Sequence, residues 1–187
     1  DVDVPLPEEC HLGDPKKNLQ FAEVEVKEIR GMYPQSTVLL SKEATEEKAK
    51  TFSSQNDMIH FASHAELSEE DPLSSAVLLA KSDKEDGRLE VREIFGMDLK
   101  ANLVVLSACE TGLSVVAPGD ELLGLARGFL SRQTPSLVVS LWMVDDESTA
   151  EMMGRFYDWL RQGQGPAGAL RQAQREMLER RPHPFFW

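Results

Sequence analysis

Leu103-Val104-Val105-Leu106-Ser107-Ala108, ending at Cys109, is the stretch on which the fold turns. A short, uncharged run of valine and leucine reads as a strand covered on both faces, the environment of the middle of a parallel sheet. After it, Leu122, Leu123, Leu125, Ala126, Phe129 and Leu130 form an apolar helical stripe, and 136–143 is a second buried strand. Before it, 19–32 reads as a helix, 36–40 as a strand, 44–52 as a helix and 58–63 as a buried strand with His60 and His64 on one face. Residues 75–80 and 89–91, around the charged turn 82–87, read as a hairpin insert. Helices at 148–162 and 166–180 close the chain. This alternation predicts an α/β fold of three layers with a mostly parallel central sheet and its ligands at the strands' carboxyl ends. Residues 1–18, with Pro5, Pro7, Gly13, Asp14 and Pro15, read as an irregular lead-in, leaving 19–187 as the domain.

Composition narrows the function. A chain of 187 residues, 41% hydrophobic and 28% charged, has the balance of one soluble globular domain. Its formal charge of −12, from 20 Lys and Arg against 32 Asp and Glu, repels phosphate backbones and anionic lipid, so neither nucleic acid nor membrane is expected as a partner. The apolar runs fall short of the roughly 18 residues of a membrane helix. Two cysteines, Cys10 and Cys109, cannot make a disulfide framework, and the chain opens on no secretory signal, which together fit a reducing, cytoplasmic setting. A first residue of Asp1 in place of Met suggests a processed product or a fragment.

Two polar turns carry candidate chemistry: His60-Phe61-Ala62-Ser63-His64-Ala65 and Leu106-Ser107-Ala108-Cys109-Glu110-Thr111-Gly112. Each ends a buried strand, so neighbouring strands would bring a His and a Cys to one rim. A Cys attacks as its thiolate, which an imidazole favours before returning a proton to the leaving amine. Singly, a buried Cys is equally a small hydrophobe and a buried His a structural hydrogen-bonder. His60 and His64 have the spacing of a zinc-protease helix, but Phe61 stands where that motif needs Glu, so no metal is expected. Phosphate-binding glycine loops are absent, and no cofactor is expected. Asp145 and Asp146 follow the 136–143 strand; Asp146 reads as a helix N-cap and, at the same rim, as an acid able to pair with a guanidinium. Cys10 reads as a bystander.

The segments at 60–65 and 106–112, with Ser140-Leu141-Trp142-Met143-Val144-Asp145-Asp146-Glu147-Ser148-Thr149 and His183-Pro184-Phe185-Phe186-Trp187, resemble a CHAT domain, of the caspase, metacaspase and separase group of cysteine peptidases. The resemblance implies a caspase-like α/β/α sandwich and a His64–Cys109 dyad, with His60 in support. It implies an oxyanion held by the backbone of Ala65 and Cys109, and a pocket of Asp146, then Asp145, walled by Trp142, selecting Arg or Lys before the cut. The family usually has Gly where Ala65 stands, and more chain at both ends, so both ends read as clipped. Loops 82–87 and 113–119 would form substrate walls. A protein or peptide substrate is implied, with a regulatory helical-repeat segment or activating partner outside the chain. The alternative is a catalytically silent scaffold of the same fold in a signalling or defence assembly.

Overall fold

The computed structural model describes residues 9–13, 21–68, 70–107, 120–140 and 144–187. Along these the chain runs β1 (Glu9–Gly13), α1 (Ala22–Met32), β2 (Thr37–Leu40), α2 (Glu46–Ser53), β3 (Met58–Ala62), β4 (Ala65–Glu66), β5 (Ala76–Leu78), β6 (Arg88–Glu90), α3 (Val91–Ile94), β7 (Leu103–Leu106), α4 (Asp120–Ser131), β8 (Ser136–Val139), α5 (Asp146–Arg161) and α6 (Pro166–Arg180). Five strands make a wholly parallel sheet in the order β2-β1-β3-β7-β8. From β1 the chain steps outward to β2, then returns to β3 on the other side, so the order reverses between β1 and β3. Open α/β sheets bind ligands at the carboxyl ends beside such a switch.

Period-2 alternation along β3 assigns the two faces. Ile59 and Phe61 join Val104, Leu106, Leu125 and Phe129 in a core under α2, α3 and α4. Met58 and Ala62 face the other way, toward clusters in which α1, α5 and α6 contribute Val26, Ile29, Met153, Phe156 and Ala173. The caspase-like three-layer α/β arrangement is thus present.

Several boundaries differ from the sequence reading. The irregular lead-in contains β1, which lies between β2 and β3 with Leu12 fully buried. Gly13, read as turn punctuation, is there for close packing: a Cβ would come 3.0 Å from Leu40 Cδ2 and 3.3 Å from Val26 Cγ2. On α1, Val24 is exposed and Glu25 buried, the reverse of their hydropathy. The 89–91 strand is β6 running directly into α3, where the Glu90 N–H donates to Glu93 Oε2 at 2.9 Å. The hairpin insert forms from β5 and β6, with β4 added as a third antiparallel strand. Its turn at 82–87 is tied down: Gly87 donates its N–H to Glu46 Oε2 at 2.8 Å, and Glu85 pairs with Lys50 at 3.0 Å. Gly87 has φ +86°, and a Cβ there would meet the Leu79 carbonyl at 2.6 Å, so only glycine fits. Loop 113–119 lies outside the described residues. Among the described residues, no helix is long and apolar enough to cross a membrane.

Candidate functional site

The two strands expected to deliver the His and the Cys are neighbours. β3 and β7 pair in parallel, with Phe61 opposite Leu106. His64 is buried, 3% exposed, just past the carboxyl end of β3. Its carbonyl accepts from the Leu78 N–H at 2.8 Å, so the three-stranded sheet of β4, β5 and β6 holds the backbone at that point. That bond makes His64 and Leu78 a hydrogen-bonded pair, and Ala65 opposite Val77 the intervening non-hydrogen-bonded one. By the alternation of antiparallel ladders, the Ala65 N–H therefore points away from β5. Ala65 has no positive φ, so this backbone does not require a glycine there. Cys109 and Trp142 lie outside the described residues.

The two acids divide the roles assigned to one. Asp145, not Asp146, is the N-cap of α5: its Oδ2 accepts from the Ser148 N–H at 2.9 Å and its carbonyl from the Thr149 N–H at 2.9 Å. Asp146 is the first helical residue, and its Oδ2 accepts from the Phe21 N–H at 2.9 Å. One residue before α1, Phe21 stands at the carboxyl side of the same sheet, so Asp146 ties the start of α5 to the start of α1. The cap fell to Asp145 because it keeps extended backbone, at φ −74° and ψ 127°, where helical φ/ψ has not begun.

A family model for the CHAT domain matches residues 9–187. The chain belongs to the CHAT family. Family membership relates it to caspase-like peptidases, in agreement with the parallel sheet and its flanking helices. A search of curated proteins finds no match.

Inside the CHAT domain, sequence reasoning missed a buried polar set. His60 is fully buried, with Nδ1 3.1 Å from the Tyr157 hydroxyl and Nε2 2.8 Å from Oε1 of Glu25, which is 2% exposed. Tyr33 donates its hydroxyl to the Tyr157 carbonyl at 3.3 Å. Both ring nitrogens of His60 are thus engaged by α1 and α5. The only signal in the sequence was Glu25 itself, an acid on the apolar stripe of α1. At the rim, Ser63 and Ser107 are buried, and neither hydroxyl has a partner among the described residues. On the opposite face, the carboxylates of Glu46, Glu85 and Glu93 converge as a cation's ligands would, and the ammonium of Lys50 already sits among them at 2.7, 3.0 and 2.8 Å. Burial alone would lower the Lys50 pKa; its bonds to Glu46, Glu93 and Glu85 raise it instead. Burial raises the carboxyl of Glu46 above its ordinary value in spite of Lys50 and the Gly87 N–H.

Proposed function

We propose that this CHAT domain is a cysteine endopeptidase that cleaves protein substrates with a His64–Cys109 dyad, after Arg or Lys. The observation that carries the reading is the pairing of β3 with β7 in parallel, Phe61 opposite Leu106, because His64 and Cys109 each follow that pair by three residues in the chain. In this reading the Cys109 sulfur attacks the scissile carbonyl, the imidazole of His64 gives the leaving amine its proton, and water then hydrolyses the thioester. The Ala65 N–H, directed away from β5, is suited to donate to the developing oxyanion together with the N–H of Cys109. Specificity for a basic residue is assigned to Asp146, whose carboxylate is held at the rim by the Phe21 N–H. Asp145 serves as the comparison, since its carboxylate is taken by the helix cap.

Fluorogenic peptides that differ only in the residue before the cut test the proposal. Arg and Lys peptides are expected to be cleaved, Cys109→Ala to abolish turnover, and His64→Ala to slow iodoacetamide alkylation of Cys109. Asp146→Ala should lower Arg cleavage more than Asp145→Ala does, at raised as well as low salt, since salt screens distant charges and spares a close pair. Silence from every peptide would favour the scaffold reading or a missing activator, and faster cleavage after Asp than after Arg would move the pocket elsewhere.

A further inference from the structure

At the carboxyl ends of β7 and β8, between the sheet and α5 and α6, lies a cavity of about 240 Å³. Val105, Val138, Met153, Leu170 and Trp187 make much of its wall, and Ser107 supplies a hydroxyl. Ser107 is 7% exposed, and among the described residues that hydroxyl has no hydrogen-bond partner. Protein interiors leave few voids larger than one water molecule, and an apolar cavity of about 150 Å³ is enough to take up benzene. A space larger than that, apolar on most sides with one unsatisfied donor, has the character of a receptor for an apolar group that carries an acceptor.

Its place in the fold says what that group belongs to. Ser107 directly follows β7 and precedes Cys109 by two residues. Ser140, which directly follows β8, and Thr149, from the first turn of α5, also line the cavity, so the space is continuous with the rim that carries the candidate site. We propose that this cavity is a substrate subsite. It takes an aromatic or long aliphatic side chain of the bound peptide, distinct from the basic residue before the cut, while the Ser107 hydroxyl donates to a peptide carbonyl. The role as a subsite rests on the peptidase reading; the binding of an apolar group does not.

Two measurements separate these. Protein carrying ¹³C-methyl methionine is titrated with N-acetylphenylalanine amide and, in parallel, N-acetyllysine amide, with the signals of Met152 and Met153, both in the cavity wall, as reporters. The phenylalanine probe is expected to shift both and the lysine probe neither. Ser107→Ala should weaken the phenylalanine probe roughly three- to tenfold, the loss of one hydrogen bond. Leu170→Trp, which fills the space from α6, should abolish its binding while the far-ultraviolet spectrum stays native. Unmoved methionine signals overturn the cavity as a receptor whether or not the protein is a peptidase. In the second measurement, peptides sharing Arg before the cut carry Phe, Leu, Ser or Lys at each flanking position in turn. A preference for Phe or Leu at one position, lost in Leu170→Trp with Cys109 alkylation unchanged, supports the subsite. Probe binding with Arg peptides cleaved regardless of their flanks overturns it in favour of a separate small-molecule site. Probe binding with no peptide cleaved defeats the peptidase reading, and the subsite with it, and leaves the receptor standing.

Discussion

His60 and Phe61 are consecutive on β3 and face opposite layers. Phe61 packs at 6.1 Å, ring centre to ring centre, on Phe129 inside a core of Leu, Ile, Val and Met side chains. His60 meets a carboxylate from α1 and a phenol from α5. At β3 itself one layer of helices meets the strand through apolar area, its ions lying further out where Lys50 joins α2 to α3; the other layer places polar contacts directly on the strand, and these admit only one arrangement of two helices over it. Apolar packing tolerates sliding, whereas a buried Glu–His–Tyr set loses its partners with a shift of an ångström or so. The layer with the polar set is also the one tied at the rim by Asp146 and Phe21.

Four single substitutions and one double variant break or sharpen the contrast, the single ones running from the largest effect to the smallest. Phe61→Ala should cost about 4 kcal/mol in chemical denaturation, the usual loss for a large buried ring. Glu25→Ala should cost about 3 kcal/mol because it strands His60 without its carboxylate. Glu25→Leu combined with His60→Leu should regain most of that, and a double variant as unstable as the single one would refute a polar set that specifies more than it stabilises. Lys50→Ala should cost about 2 kcal/mol, less than a fully buried pair, since Lys50 keeps 24% of its side chain exposed. Its deficit should depend on pH in a stated direction. Glu46 stays buried without its cation, its folded pKa lies still further above the unfolded value, and protonation then favours the folded state. The deficit is therefore largest at pH 8 and narrows as pH falls through the folded value, which denaturation at pH 8 and pH 5 measures. Asp145→Ala should cost about 1 kcal/mol, the ordinary loss of a cap.

Strands with a continuous apolar run were legible in the sequence, and through them the sheet, its parallel sense and the rim where β3 and β7 end. β1 was not, because its five residues hold one large aliphatic side chain, Leu12, beside residues that usually mark turns. Its neighbours β2 and β3 supply the burial that its own composition does not advertise. Val24 and Glu25 show the same limit: hydropathy predicts the mean face of a helix, while a partner 35 residues downstream, His60, decides which acid goes inside. Of the candidate site, His64, Ala65 and the two acids could be named from the chain. The division between cap and tie could not, because Phe21 is a contact across 125 residues.

The bond between Phe21 and Asp146 and the meeting of His60 with Tyr157 also set a timetable. Both join early parts of the chain to parts more than 90 residues later. While the chain leaves the ribosome, β1, β2 and β3 can pair and α2 can cover one side, but α1 has no helix beside it. Glu25 and His60 stay open to water until Tyr157 emerges. Such distant closures slow folding and prolong the exposure of unfinished surface. The layer that closes last during synthesis is the one that carries the tie at the rim.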